Sequence, residues 1–177
     1  AREVGGGRGP VVGVQVVLER VGWPGRDGDV VRCPARGRRD AALCAGERVD
    51  VLRLGYRLGR DPRITTHLAL VGRALGADRF LLAGDEDPKM FENLESVANR
   101  FGGGMETEHI HSPMGWLRRF VEEDAGDGSP GIAVHLTMYG EPFREAIPRI
   151  RRDRPMVIVV GGAKVPGDVY KHCQYNV

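Results

Sequence analysis

Arginines are concentrated in one short segment, RLGYRLGRDPRITTH at residues 53–67. A guanidinium group binds phosphate or carboxylate oxygens through two parallel hydrogen bonds, so clustered arginines suit an anionic ligand. Any single one of these arginines could equally belong to a solvated face and pair with Asp61 or its neighbours. Four together favour an anionic partner, and the four are Arg53, Arg57, Arg60 and Arg63.

The arginine-rich segment lies between a hydrophobic run and a helical pattern, which predicts a strand-to-helix turn. Thr65 or Thr66 is predicted to cap this helix, because a hydroxyl oxygen can accept from the first backbone N–H groups. The N–H groups that stay free at a helix start also bind phosphate. The turn is therefore a candidate phosphate-binding element.

Two further segments, VHLTMYG at residues 134–140 and VGGAKVP at residues 160–166, also follow predicted strands. Gly161 and Gly162 would let a ligand approach the backbone closely. In open α/β sheets ligands bind beyond the carboxyl ends of the strands, where all three segments are predicted to meet. We therefore expect one site that is built from the three segments together.

The glycines do not form a familiar nucleotide-binding fingerprint. The GxGxxG spacing is absent, which argues against a Rossmann-type NAD site. Lys164 lies near glycines but is followed by Val165, so there is no P-loop and the ATPase interpretation loses its main support.

Metal and disulfide chemistry have weak support in the sequence. His109 and His111 alternate along a predicted strand and share a face, but no third ligand stands at a recognisable spacing. We predict no metal site. The odd number of cysteines fits neither a disulfide framework nor a CxxC motif. Cys33, Cys44 and Cys173 are predicted to be reduced structural thiols.

Short apolar runs alternate with helical patterns from residue 50 onward, which is typical of a mostly parallel α/β sheet flanked by helices. In the first helix, Leu68, Val71 and Leu75 form the predicted apolar stripe. The predicted strands are residues 49–54, 79–83, 105–110, 132–137 and 156–160. The predicted helices are residues 64–75, 88–101, 114–123, 142–150 and 168–173.

Residues 1–49 differ in composition, because they are rich in glycine and arginine and contain no lysine. Only residues 11–18 and 30–33 are candidate strands there. The sequence therefore predicts a boundary near Asp50, with a domain at residues 50–177 that folds without the preceding segment. A length of 177 residues suits one such domain.

Overall composition is that of a globular protein, with 41% hydrophobic and 28% charged residues. No run approaches the roughly 20 apolar residues that a membrane span requires, so we expect no membrane association. The start lacks the basic, apolar and small-residue succession of a secretory signal, which makes the cytoplasm the expected location. The net charge of +2 says little about partners.

Taken together, RLGYRLGRDPRITTH, VHLTMYG, and VGGAKVPGDVY followed by YNV resemble the archaeal tRNA (cytidine-56) 2′-O-methyltransferases of the SPOUT superfamily in order and spacing. The resemblance covers about residues 50–177. It implies a mostly parallel sheet that ends in a trefoil knot, a homodimer, and tRNA as the substrate. It also implies S-adenosylmethionine as the cofactor, held by loops of the knot.

Carried over residue by residue, the resemblance assigns roles to the motifs. Arg60 and Arg63 are the candidate catalytic residues, and Arg53, Arg57 and His67 are candidate RNA contacts. An arginine in this position is expected to orient the ribose hydroxyl and the neighbouring phosphate. The cofactor pocket is expected to contain Leu136, Gly161, Gly162, Ala163, Lys164, Val165, Tyr175, Asn176 and Val177.

The chain departs from the family pattern in three places. Ala163 stands where the family usually has Glu, and Tyr56 where it often has His. The pattern also continues beyond YNV into a glycine-asparagine-glutamine-proline loop and a long helix that threads the knot. Without that segment we expect weak cofactor binding and inefficient methylation.

A non-catalytic RNA- or nucleotide-binding remnant of the fold is the alternative. Methylation of a small molecule or protein is disfavoured by the arginine cluster.

Overall fold

The computed structural model describes residues 48–101, 104–162 and 164–177. The two candidate strands of the first 33 residues, and Cys33 and Cys44, lie outside the described residues. The domain boundary near Asp50 stays a prediction. Cys173 is a free, buried thiol, and burial raises its pKa to about 12, so it remains protonated and unreactive at neutral pH.

The strands and helices alternate along the described chain. The strands are β1 (Val49–Tyr56), β2 (Arg79–Gly84), β3 (Glu106–His109), β4 (Ile132–Leu136), β5 (Met156–Val160) and β6 (Tyr175–Asn176). The helices are α1 (Pro62–Ala74), α2 (Pro88–Phe101), α3 (Pro113–Glu122), α4 (Phe143–Ala146) and α5 (Gly167–His172), with a 3-10 turn at Ile147–Arg149.

All pairings in the six-stranded sheet are parallel, in the order β3-β2-β1-β5-β4-β6. This confirms the predicted fold class. The chain builds outward from β1 through β2 to β3 and then crosses to the other side of β1. Beyond the carboxyl ends of β1 and β5 the strand order therefore reverses, which is where open α/β sheets bind ligands.

Alternate side chains of the central strands pack on opposite faces of the sheet. Leu52 and Leu81 belong to a core that includes residues of α3 and α5. Val51 and Phe80 belong to a second core that includes residues of α1 and α2. The two-residue period of a strand produces this division. The result is a three-layer arrangement that covers both faces of the sheet.

The predicted strands agree with the structure to within about two residues, as strand-length apolar runs should. The structure adds β6, which is too short to be recognised from sequence. The helix predicted at residues 142–150 is interrupted in the structure. It ends at Ala146 as α4, and a 3-10 turn follows at Ile147–Arg149. None of the helices in the described ranges is long and apolar enough to cross a membrane.

The apolar stripe predicted on α1 is wrong in part: Leu68 packs against the second core, but Val71 and Leu75 do not face it. Val71 is 54% exposed and Leu75 is 84% exposed. The buried positions are instead Thr65, Ala69 and Gly72. A Cβ placed on Gly72 would lie 3.2 Å from Val51 Cγ2, so α1 uses its smallest side chains to approach the sheet closely.

Candidate active site at the carboxyl ends of β1, β4 and β5

The loop after β4 is bonded to the last residues of the chain through backbone groups. Thr137 N–H donates to the Val177 carbonyl at 2.7 Å, and Val177 N–H donates to the His135 carbonyl at 2.9 Å. Glu141 N–H donates to the Asn176 carbonyl at 2.9 Å. The VHLTMYG and YNV motifs, about 40 residues apart in sequence, therefore form one wall.

Two glycines allow these loops to approach each other. A Cβ on Gly140 would lie 2.5 Å from the backbone nitrogen of Val177. A Cβ on Gly162 would lie 3.2 Å from the carbonyl oxygens of Leu54 and Gly55. The loop after β5 thus touches the end of β1, where the arginine-rich segment begins. The three sequence motifs meet at one edge of the sheet, as predicted.

Arg53, the first residue of the arginine-rich segment, contacts the loop after β5. It is 7% exposed. Its Nη1 donates to the Leu54 carbonyl at 3.1 Å and also to the Gly161 carbonyl. Burial lowers the pKa of Arg53, while the charge of Asp61 opposes this effect. This burial does not fit the RNA contact predicted for Arg53 and instead supports a role in positioning the Gly161 loop.

The other arginines of the segment are exposed, and so is His67. The nitrogen Nε of Arg57 lies 3.5 Å from Asp61 Oδ2, and that of Arg60 lies 3.8 Å from Asp61 Oδ1. Such exposed pairs are weak and can exchange for an incoming phosphate. Arg57, Arg60, Arg63 and His67 therefore lie on the solvent side of the turn.

The start of α1 differs from the prediction. Asp61, not a threonine, occupies the cap position, and it makes no side-chain capping hydrogen bond. Thr65 is fully buried, and Thr66 Oγ1 donates to the Pro62 carbonyl at 2.8 Å. The helix begins two residues earlier than predicted because Pro62 suits the first helical turn.

Tyr56 stands at the end of β1 and is 1% exposed. Its hydroxyl donates to Asp87 Oδ2, while Asp87 Oδ1 accepts from Met90 N–H at 3.0 Å. Burial and the neighbouring Asp87 carboxylate raise the pKa of Tyr56, so the hydroxyl stays protonated. Tyr56 therefore fixes the arginine-bearing turn to the start of α2.

His135, in the middle of VHLTMYG, was not assigned a role from sequence. It is fully buried, and its Nδ1 lies 3.1 Å from Asn176 Oδ1. Since an amide oxygen only accepts, Nδ1 carries the hydrogen. Asn176 Nδ2 in turn donates to the Tyr170 carbonyl at 3.2 Å. A histidine inside an apolar strand is the signal that marks this contact in the sequence.

The residues predicted to hold the cofactor have different surroundings. Leu136, at the end of β4, is 42% exposed. Lys164 is exposed, whereas Val165 is half-buried against the core. Tyr175 donates its hydroxyl to the Arg149 carbonyl at 2.7 Å, so that group is already engaged. Ala163 lies outside the described residues. Gly161 and Asn176 both lie beside His135: a Cβ on Gly161 would lie 3.8 Å from His135 Nε2, and Asn176 Oδ1 lies 3.1 Å from His135 Nδ1. The shared cofactor pocket stays a prediction.

Solved structures with the same architecture are methyltransferases. The SpoU methyltransferase AviRb from Streptomyces viridochromogenes, crystallised with AdoMet, matches with a TM-score of 0.54 and 19% identity over 75% of this chain and 48% of that chain. The A. aeolicus TrmH/SpoU tRNA modifying enzyme matches with a TM-score of 0.52 and 15% identity over 75% of this chain and 64% of that chain. This chain has the SpoU/TrmH, or SPOUT, methyltransferase fold.

Sequence comparison defines the family. Residues 101–177 match the family model described as tRNA ribose 2′-O-methyltransferase, aTrm56. The tRNA (cytidine(56)-2′-O)-methyltransferase of Methanobrevibacter smithii is 46% identical over 130 residues, covering 73% of this chain and 69% of the relative. The tRNA (cytidine(56)-2′-O)-methyltransferase of Thermococcus kodakarensis is 46% identical over 133 residues, which cover 73% of this chain and 70% of the relative. This chain belongs to the tRNA (cytidine(56)-2′-O)-methyltransferase family, which confirms the resemblance.

Proposed function

We propose that this protein transfers a methyl group from S-adenosylmethionine to the ribose 2′-oxygen of cytidine 56 in tRNA. The observation that carries the proposal is the contact, at the strand-order reversal, between the glycine-containing loop after β5 and the end of β1. Arg53 of β1 donates to the Gly161 carbonyl. The arginine-bearing turn continues directly from this end of β1. A cofactor and an RNA phosphate would thus meet at this edge.

The loops fit a cofactor that is recognised mainly through backbone groups. Close approach of Gly140 to Val177, and of Gly162 to the end of β1, forms walls without side chains between them. Leu136 adds a partly exposed apolar surface at the end of β4. The proposed cofactor residues are the nine that the sequence predicts: Leu136, Gly161, Gly162, Ala163, Lys164, Val165, Tyr175, Asn176 and Val177.

Bound S-adenosylmethionine supplies an electrophilic methyl group on a sulfonium sulfur. A ribose 2′-hydroxyl is a poor nucleophile, so the contribution of the protein is chiefly alignment of the oxygen with that carbon. Arg60 and Arg63 present planar guanidinium groups on the solvent side of the turn. They would hold the adjacent phosphate and orient the hydroxyl, while its proton leaves late to phosphate or water. Arg57 and His67 would extend the RNA contact.

A dimer is part of this proposal. Ile64, Val71 and Leu75 form an exposed apolar stripe along α1, and such a stripe favours association with another apolar surface. We propose that a second copy of the chain covers this stripe. We also propose that the protein binds tRNA in the cytoplasm. Sedimentation velocity should show a dimer that Val71→Asp converts to monomer. A wild-type monomer at micromolar concentration would contradict this.

The activity is tested with unmodified tRNA and S-adenosylmethionine labelled in the methyl group. We expect the label to be recovered as 2′-O-methylcytidine by mass spectrometry of nucleosides. The matched control is the same tRNA with 2′-deoxycytidine at position 56, which has no acceptor oxygen. Label on this control would contradict the proposed position. Retention of tRNA with a steep salt dependence, but no label, would favour the non-catalytic alternative.

A further inference from the structure

Three potential metal ligands meet beyond the carboxyl ends of β2 and β3, and methyl transfer uses none of them. Glu86 lies in the loop after β2, His109 ends β3, and His111 follows two residues later. One ligand atom from each lies within 4.8 Å of those of the other two. The sequence predicted that His109 and His111 share a face but offered no third ligand. In the structure Glu86 is that third ligand.

The tautomer of His109 leaves a lone pair directed at this cluster. Its Nε2 lies 2.8 Å from the Gly84 carbonyl oxygen. Because a carbonyl oxygen only accepts, Nε2 must carry a hydrogen, and Nδ1 of the neutral ring is an acceptor. Metal-binding histidines are commonly oriented in this way, by a backbone carbonyl at the other ring nitrogen.

The acceptor nitrogen has no other use in the described part of the chain. His109 Nδ1 is buried and has no hydrogen-bond partner there, and the whole side chain is 11% exposed. The nearest charged oxygen, Glu86 Oε1, lies 3.7 Å away, which is beyond hydrogen-bond distance. A buried nitrogen lone pair without a partner is costly, and a bound cation would satisfy it.

The spacing suits a small tetrahedral ion. Zinc bonds of about 2.0–2.1 Å place neighbouring ligand atoms roughly 3.4 Å apart. The separation of His109 Nδ1 and Glu86 Oε1 is already 3.7 Å. The rings of His109 and His111 meet edge-on, with centroids 4.7 Å apart. Glu86 and His111 are exposed, so small rotations of their side chains can complete the site.

The neighbouring carboxylates are engaged elsewhere, which leaves Glu86 for the ion. Asp85 Oδ2 accepts from the Leu58 N–H at 2.8 Å. Asp87 accepts from Tyr56 and from Met90 N–H. The sequence Asp85-Glu86-Asp87 therefore contributes one carboxylate to the cluster, on the same side as the two imidazoles.

We propose that Glu86, His109 and His111 bind one Zn²⁺ ion, with water in the remaining position. Two imidazole nitrogens and one carboxylate favour zinc over Mg²⁺ or Ca²⁺, which prefer oxygen ligands. The ion would join the loop after β2 to the end of β3, the outermost strand on this side of the sheet. The rival interpretation is a protonated His109 paired with Glu86, which would repel a cation.

The test is a titration of Co²⁺, and then Zn²⁺, into tag-free, chelator-treated protein. Cys33→Ser and Cys44→Ser are included so that thiolates do not compete. We expect one equivalent to bind, with visible Co²⁺ bands that Zn²⁺ removes and a higher melting temperature with Zn²⁺. Glu86→Gln or His111→Ala should weaken binding at least tenfold. Both side chains are exposed, so circular dichroism of these variants should match that of the parent.

The controls are Glu108→Gln, which removes an exposed carboxylate from the same strand, and His172→Ala, which removes a histidine of α5. Neither should change zinc affinity. Long-range ¹H–¹⁵N spectra should show the Nδ1 resonance of His109 shifting on Zn²⁺ addition. Absence of binding, equal binding by Glu86→Gln and the parent, or an imidazolium spectrum that Zn²⁺ leaves unchanged would each overturn the proposal.

Discussion

Arg53 and Arg60 belong to the same arginine-rich segment but have different surroundings. Arg53 is buried and bonded to the Gly161 carbonyl, whereas the side chain of Arg60 is 65% exposed and weakly paired with Asp61. A buried guanidinium that donates to a loop carbonyl helps to fix the position of that loop. An exposed one is available to an anionic substrate. The two positions should therefore affect different steps.

Arg60→Ala or Arg63→Ala should abolish methyl transfer and leave affinity for S-adenosylmethionine almost unchanged, because both side chains lie on the solvent side of the turn. Single-turnover transfer to tRNA and calorimetric titration of the cofactor separate the two effects. Arg118→Ala, which removes an exposed arginine of α3, is the matched control. An equal loss of cofactor binding would rule out this assignment.

Arg53→Lys keeps the charge but replaces the planar guanidinium, whose Nη1 donates to the Leu54 and Gly161 carbonyls, with a shorter and more flexible ammonium side chain. We expect affinity for S-adenosylmethionine to fall about tenfold, since a charged hydrogen bond that holds the loop is lost. Retention of tRNA should change little. If the variant binds cofactor normally but loses tRNA, the RNA contact first predicted for Arg53 is correct and the positioning role is wrong.

At the scale of elements, the wall made by the β4 loop and β6 depends on backbone contact. Thr137 N–H donates to the Val177 carbonyl, Val177 N–H to the His135 carbonyl and Glu141 N–H to the Asn176 carbonyl. Gly140 leaves no room for a side chain. Such a wall is rigid only while both segments remain in contact, because β6 has two residues and, among the described strands, pairs only with β4.

Gly140→Ala should displace the last two residues, because its Cβ would lie 2.5 Å from the Val177 nitrogen. We expect a loss of stability of about 1–3 kcal/mol and a larger relative loss of cofactor affinity. Gly167→Ala is the control, since nothing lies within 4 Å of its added methyl group. Chemical denaturation and cofactor titration measure both effects. Identical behaviour of the two variants would contradict the proposed contact.

At the scale of the whole molecule, the described residues form a six-stranded sheet with helices packed on both faces. Asp50 is fully buried at the amino end of β1 and accepts from Arg79 Nε at 3.1 Å and Nη2 at 2.8 Å. Arg48 Nε lies 3.3 Å from the same carboxylate. This paired charge fixes β1 to β2 at the edge opposite the active site.

A chain that starts at Arg48 should therefore retain a cooperative thermal transition close to that of the full chain. Among the described residues, the two cores on either side of the sheet consist of residues from 51 onward, and Arg48 preserves the ion pair with Asp50. Differential scanning calorimetry of both chains is the measurement. Collapse of the transition on removal of residues 1–47 would show that the segment contributes to the fold.

Much of this architecture was predictable because its signals are local. The apolar runs of β1, β2, β4 and β5 identify strands, and the glycines and prolines between them identify turns. The motif at residues 134–140 and that at 160–166 were placed at the active-site edge because parallel strands direct their carboxyl ends to the same side. The prediction for α1 was partly wrong, because its most buried positions are the small residues Thr65, Ala69 and Gly72, with Leu68 beside them and Val71 and Leu75 exposed.

By itself, the sequence determined the alternation of strands and helices, the family, and the three segments that build the site. These properties depend on residue type and on spacing over a few residues. The tertiary structure decided which face of α1 is buried, that Arg53 lies inside and bonds Gly161, and that Glu86 joins His109 and His111. Each of these depends on residues that are distant in the chain and become neighbours only when the strands pair, so no local pattern records them.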